Sequence, residues 1–246
     1  MRVRTLFLAT VIFTVVVLLG TVGRLLYRRS LTLADAIVRG DVAMVREKVR
    51  DVEDINAYVG QHTYLTLAFR WRAGPREGTA SERERQRARQ LTYDVAAILI
   101  EHGADVDAPS KFFNGSSPLH MSVYLDMIDV TELLLASGAS VRSVDDQGFT
   151  SLMMASAIGR REFVDLLLQK GSCEVINARD DKGNTALHLA VDPVTVELLL
   201  VHGADPNIAN KKGATPADLI RKREGQGSRH TGDERESCVA EVERRE

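Results

Sequence analysis

The feature that most constrains this chain is a recurrence. A leucine-rich run closing on glycine appears four times, as ILIEHGAD at 98–105, LLLASGAS at 133–140, LLLQKGSC at 166–173 and LLLVHGAD at 198–205. Its glycines, Gly103, Gly138, Gly171 and Gly203, lie 35, 33 and 32 residues apart. A second landmark keeps the same step: Ser117-Pro118-Leu119-His120, Thr150-Ser151-Leu152-Met153, Thr185-Ala186-Leu187-His188 and Thr215-Pro216-Ala217-Asp218, with an earlier copy at Thr63-Tyr64-Leu65-Thr66. From this landmark to the glycine the offset is 21 residues in two copies, 117 to 138 and 150 to 171. A period of this length marks a solenoid: each unit is too small to bury its own apolar face and must stack on its neighbours.

Each residue type has a mechanical reason. Pro118 and Pro216 suit the first turn of a helix, where no N–H is needed and φ is already set. A glycine after the leucine run supplies the left-handed conformation that stops a helix. Val130, Leu133 and Leu134, like Val164, Leu167 and Leu168, make one apolar helical stripe. Gly115, Gly148, Gly183 and Gly213 precede the first helix of each unit and allow a tight turn.

These landmarks resemble the ankyrin-repeat family, whose unit of about 33 residues carries a T-P-L-H-x-A signature. The resemblance implies an all-α repeat solenoid of stacked helix-turn-helix units joined by short β-hairpin loops, spanning about residues 30–225. The units are predicted at 30–60, 61–113, 114–146, 147–181 and 182–211, with a cap at 212–225. Unit 1 lacks the leucine triplet, reading Glu47-Lys48-Val49, as befits a polar terminal cap. Unit 2 carries an arginine-rich insert at about 72–90. There Ser81-Glu82-Arg83-Glu84 is a capping box, which predicts a long second helix from about Glu82 to His102. Unit 5 is three residues short, and Asp192-Pro193 restarts its second helix as N-cap and first residue. Residues 226–246 are polar, charged and predicted to be disordered.

Ahead of the repeats, Thr5 to Gly23 contains 19 residues without a charge, followed by Leu25, Leu26 and Tyr27. As a helix this run is about 28 Å long, close to the hydrocarbon thickness of a bilayer. One transmembrane helix, a signal anchor within 1–29 crossing at 5–27, is therefore expected. The competing reading is a cleaved secretory leader with Arg2 and Arg4 ahead of the apolar run and Thr21-Val22-Gly23 as the cleavage site. Orientation stays open. Arg24, Arg28, Arg29 and Arg39 after the span favour cytoplasmic repeats, whereas the leader-like start favours an extracytoplasmic, periplasmic domain. We read the chain as single-pass with periplasmic repeats.

Composition narrows the function. The first 29 residues hold five arginines and no acid, leaving 27 basic against 34 acidic groups in the remainder, net −7. Nucleic acid demands a positive footprint, so it is not an expected partner. The two cysteines, Cys173 and Cys238, form no metal-ligand spacing. There is no P-loop, G-x-S-x-G, H-E-x-x-H or C-x-x-C, so neither an enzyme nor a cofactor is expected. The resemblance gives His120 and His188 a structural role, hydrogen-bonding backbone to fix a turn. The pairs Asp145-Asp146 and Asp180-Asp181 fall at hairpin tips, open to readings as solvated turns, partner contacts or a cation site.

What remains is binding. The resemblance implies a protein partner, held by the hairpin tips and the concave face of the first helices, and a monomeric chain. Contact positions carried over are the residues before each landmark (His62, Ser116, Phe149, Asn184, Ala214) and the pairs ending the first helices (Arg70-Trp71, Tyr124-Leu125, Ala157-Ile158). The hairpin carrying Lys111-Phe112-Phe113 is two residues longer than its successors. The candidate site is accordingly Arg70, Trp71, Lys111, Phe112, Phe113, Tyr124, Leu125, Phe149, Ile158, Asp180 and Asp181. Aromatics and arginine are the usual anchors of such a surface, although the competing reading packs Phe112 and Phe113 back onto unit 2. The arginine insert reads as a solvated helix, a contact arm for an acidic partner, or a headgroup contact. Family analogy adds that bacterial members often serve as inhibitors or immunity partners of secreted toxins; a scaffold for a membrane complex and a secreted effector are the alternatives.

Overall fold

The computed structural model of the chain describes residues 31–69, 81–171 and 175–225. The predicted anchor, Arg70, Trp71, Cys173, the first half of the insert and the tail lie outside the described residues. Among those described, no helix is long and apolar enough to cross a membrane.

Among the described residues there are five helix pairs and a closing helix: α1 Leu33–Arg39 with α2 Val42–Lys48, α3 Tyr64–Ala68 with α4 Glu82–Glu101, α5 Pro118–Tyr124 with α6 Ile128–Ala136, α7 Ser151–Ala157 with α8 Arg161–Gln169, α9 Ala186–Leu189 with α10 Pro193–Val201, and α11 Pro216–Gly225. The units stack in sequence order. First helices meet as α1 on α3 and as α5, α7, α9 and α11 in a row, while α2, α4 and α6 form part of the second layer. Leu65, Leu119, Leu152 and Leu187 from the first helices meet Leu99, Leu134, Leu167 and Leu199 from the second in one continuous core, and each is essentially fully buried. Isolated helices this short would not persist in water, so their stability comes from that shared face.

The capping chemistry matches the expectation in detail. Ser81 caps α4: its hydroxyl accepts from the Glu84 N–H while the Glu84 carboxylate takes the Ser81 N–H at 2.7 Å. Those hydrogen bonds hold the Glu84 carboxyl below its usual range, and the same box at Thr32–Asp35 and Thr215–Asp218 does so for Asp35 and Asp218. Asp192 caps α10 with Pro193 as first residue. The cost of the shortened fifth unit falls on α9, which has only four residues. The carbonyl groups of His188, Leu189 and Ala190 at its end are taken by the Arg223 guanidinium of α11. The closing helix therefore finishes the helix before it.

Between units the chain makes tight hairpins. The first is a two-residue ladder, Tyr58–Val59 (β1) against His62–Thr63 (β2), and the next two are single bridges at Ser110–Ser116 and Val144–Thr150. Backbone hydrogen bonds link each hairpin to the next: Lys111 N–H to Gln61 O, Asp146 to Asn114, Asp181 to Gln147 and Lys211 to Lys182, at 2.9–3.0 Å. Gly183, at φ +81°, sits where a Cβ would come within 2.8 Å of the Lys211 nitrogen, so glycine is required both by conformation and by space.

On the opposite edge, where first helix turns into second, ion pairs cross the units. Asp126, left-handed at φ +61°, receives Arg89 at 3.0 Å from the preceding unit and Arg160 at 3.2 Å from the following one. Arg161 continues to the buried Asp192 at 2.7 Å.

Candidate functional site

The concave side of units 2–4 carries a groove of about 840 Å³. One wall is the hairpin side, with Phe112, Phe113 and Phe149; the other is the ends of the first helices, with Tyr124, Leu125, Ala157 and Ile158. The reach of the hairpins follows from the sequence. Ser110 N–H bonds Ser116 O across six residues, whereas Asp145–Phe149, Asp180–Asn184 and Asn210–Ala214 each close across four. The two additional residues carry Phe112 outward over the groove.

Six candidates from the sequence meet here: Phe112, Phe113, Tyr124, Leu125, Phe149 and Ile158. Phe112 and Phe113 pack edge to face, centroids 5.0 Å apart, and both rings lie against the His62 imidazole at 5.4 and 6.0 Å. They do fold back onto unit 2, as the competing reading had it, yet Phe112 keeps 61% of its surface exposed. Tyr124 and Ile158 are 50% and 40% exposed. Burying the exposed part of three such groups would contribute roughly 0.6–1.8 kcal/mol each before ordering costs.

The remaining candidates lie elsewhere. Lys111 sets its ammonium 4.3 Å over the Tyr58 ring, outside the groove lining. Asp180 is buried: it accepts from the Lys182 and Asn184 N–H groups at 2.8 and 2.7 Å and from the Asn184 amide at 3.0 Å. Its carboxylate shapes its own turn and is not presented to a partner. Asp181 is exposed, at the tip beside it. Asn184 and Ala214 line the later hairpins and not this groove.

Several lining residues escaped the sequence reading. Phe69, Met121, Met154, Gln61 and Gln147 complete the floor and rim. Met121 and Met154 could have been found, because each follows the fourth landmark position at the 33-residue step.

Beneath the groove, His120 is fully buried. Its Nε2 lies 2.8 Å from the Phe149 carbonyl and its Nδ1 2.8 Å from the Ser117 hydroxyl. A carbonyl only accepts, so Nε2 carries the hydrogen and Nδ1 accepts from Ser117. Burial pushes the His120 pKa down, outweighing the Phe149 carbonyl and Asp145, which push it up. His188 repeats the arrangement, with Thr185 N–H at 3.1 Å on Nδ1 and Ala214 O at 3.1 Å from Nε2, and burial again lowers its pKa. Both rings are neutral clamps between adjacent units. Among the described residues no group of His, Cys, Asp and Glu is arranged to hold a metal ion.

Residues 119–210 match the family described as ankyrin repeats, in three copies. An ankyrin repeat protein of fowlpox virus (strain NVSL) is 38% identical over 114 residues, 44% of this chain and 33% of that protein. An ankyrin repeat-containing protein of Treponema pallidum (strain Nichols) is 35% identical over 124 residues, 49% and 40% of the two chains. The chain thus spans a third to two fifths of the length of these relatives. Among solved structures, an ankyrin repeat domain from Acinetobacter baumannii AYE superposes with a TM-score of 0.67 at 25% identity, over 85% of this chain and 95% of that one. A chain from the complex of a Bdellovibrio bacteriovorus predatory endopeptidase with an immunity protein gives 0.65 at 24% identity, over 88% and 99%. The solenoid is an ankyrin-repeat fold, an architecture whose extended concave surfaces bind other proteins.

Proposed function

We propose that this chain is a non-enzymatic binding protein that grips a protein partner through the groove of units 2–4 and is tethered to a membrane by residues 5–27. The observation that carries the reading is the gathering of Phe112, Tyr124 and Ile158, exposed, on the rim of one apolar groove in a chain with only 5% aromatic residues. Large apolar side chains gathered on one groove mark a binding surface, as the same residues scattered singly would not. The uncharged run 5–23 supports the tether, which would raise the local concentration of the binding surface and make moderate affinity sufficient. Inhibition of a secreted toxin is the specific role we favour. It rests on family analogy, alongside the likeness in fold to a chain from an endopeptidase–immunity protein complex.

The test is affinity capture with full-length protein against the Phe112→Ala/Tyr124→Ala variant, matched for melting temperature. The reading expects a protein captured by wild type and lost with the variant. Equal capture by both would move the interface off this groove. Fractionation of cells tests the tether: the protein should stay with membranes after a high-salt wash and be released by detergent.

A further inference from the structure

The groove is apolar in its walls but not neutral in charge. Among its described lining residues Asp145 supplies a carboxylate, and there is no lysine or arginine. Asp145 sits at the foot of the third hairpin. Its Oδ1 accepts from the Gln147 and Phe149 N–H groups, each at 2.9 Å, which fixes the side chain in place. Its Oδ2 takes no hydrogen bond among the described residues, and the side chain is only partly buried. Asp146, the next residue, is exposed at the same tip. Lys111, at the hairpin beside it, is occupied by the Tyr58 ring. His120, on the same floor, is kept neutral by burial and offers no compensating charge. One carboxylate oxygen is therefore held in place beside an apolar surface, with no hydrogen-bond donor on it among the described residues.

Resting on the reading of this groove as the interface, we propose that it takes a peptide segment of the partner that combines apolar residues with one lysine or arginine, the cation meeting Asp145 Oδ2 while the apolar groups cover Phe112, Tyr124 and Ile158. Charge complementarity selects this occupant over an acidic or wholly apolar one. A pre-positioned carboxylate loses little freedom on pairing, and the surrounding rings exclude water and strengthen the contact. A guanidinium or ammonium there also lies within the same groove as the Tyr124 and Phe112 faces, to which cations are attracted. The net −7 of residues 30–246 steers a basic segment in the same direction.

A phage-displayed library of random dodecapeptides, panned on full-length protein, tests this. Enriched peptides are measured on wild type, on Asp145→Asn and on Phe112→Ala/Tyr124→Ala. Asparagine keeps the oxygen that accepts from Gln147 and Phe149, so the hairpin survives while the charge goes. The proposal expects enriched sequences with one Lys or Arg among apolar residues and at least tenfold weaker binding to Asp145→Asn. It also expects no further loss on that variant when the peptide's cation is exchanged for methionine. Peptides that need Phe112 and Tyr124 but bind Asp145→Asn undiminished would overturn the cation site and leave the groove standing as an interface. Peptides indifferent to all three positions, or a library that yields no binder, would count against both.

Discussion

His120 Nε2 donates to the carbonyl of Phe149 over 2.8 Å, and so ties the first helix of one unit to the hairpin that opens the next. The same carbonyl belongs to a residue whose ring lines the groove. Stability and the shape of the groove are linked through this bond.

Replacing His120 with alanine removes that bond and the Ser117 contact, and leaves a fully buried cavity. The expected loss is about 2–4 kcal/mol in urea unfolding. Binding in the proposed groove should weaken as well, because Phe149 loses one of its anchors and keeps only its bonds to Asp145. His120→Ala with unchanged melting temperature would show that the clamp is dispensable.

His120 and His188 make stability depend on pH in one direction. Their folded pKa values lie below the unfolded value of about 6.5, so near pH 6 the unfolded chain binds more protons than the native one. Stability should be full above about pH 6.5 and decline as pH falls through and below that value. His188 pays most directly, since its Nδ1 accepts from the Thr185 N–H and a protonated ring cannot. Urea midpoints between pH 5 and 8 should rise with pH, and the slope should shrink in His188→Gln.

Two glycines separate conformation from space. Gly203, at φ +93°, would meet nothing within 4 Å on gaining a Cβ, whereas Gly183 would collide with the Lys211 nitrogen. Gly203→Ala should cost about 1–2 kcal/mol from the left-handed backbone alone. Gly183→Ala should cost about 2–4 kcal/mol, because the next hairpin must move too. Equal costs by denaturant titration would refute the tight stacking of hairpins.

The acids at the turns between helices should differ as well. Asp192 is 3% exposed; it caps Thr195 N–H at 3.0 Å, accepts the Thr195 hydroxyl at 2.7 Å and pairs with Arg161. Asp192→Ala should cost about 2–3 kcal/mol. Asp126 pairs with two arginines, but all three side chains are about a third or more exposed. Asp126→Asn, which tolerates the left-handed backbone, should cost below about 1 kcal/mol, with the difference fading as salt is raised.

Local chemistry was legible in the chain wherever a residue acts on its own turn. The left-handed glycines, the Ser81–Glu84 box, the Asp192-Pro193 restart and the two additional hairpin residues all follow from nearest-neighbour rules. Most of what escaped depends on contacts between units. Asp126 meets Arg89 and Arg160 only because 37 and 34 residues of chain bring them to one edge. Asp180 looked like its neighbour Asp181, yet it occupies the position filled by Asp145 and Asn210 in adjacent hairpins, where the oxygen accepts from the N–H groups two and four residues on. That recurrence was visible in the sequence as Asp, Asp, Asn at one register. Half of the groove was likewise marked by position, while Phe69 and the glutamines required the stacked units to be seen.

One set of bonds joining successive hairpins runs from main chain to main chain, beside side-chain links such as Ser110–His62 and Asn210–Asn184. Lys111, Asp146, Asp181 and Lys211 therefore hold their places through atoms that every non-proline residue possesses. Such a rail lets these four exposed tip residues be rewritten one by one, while the turn-forming Asp145, Asp180 and Gly183 stay fixed. A lineage pressed by a shifting partner could retarget this protein without relearning how to fold it.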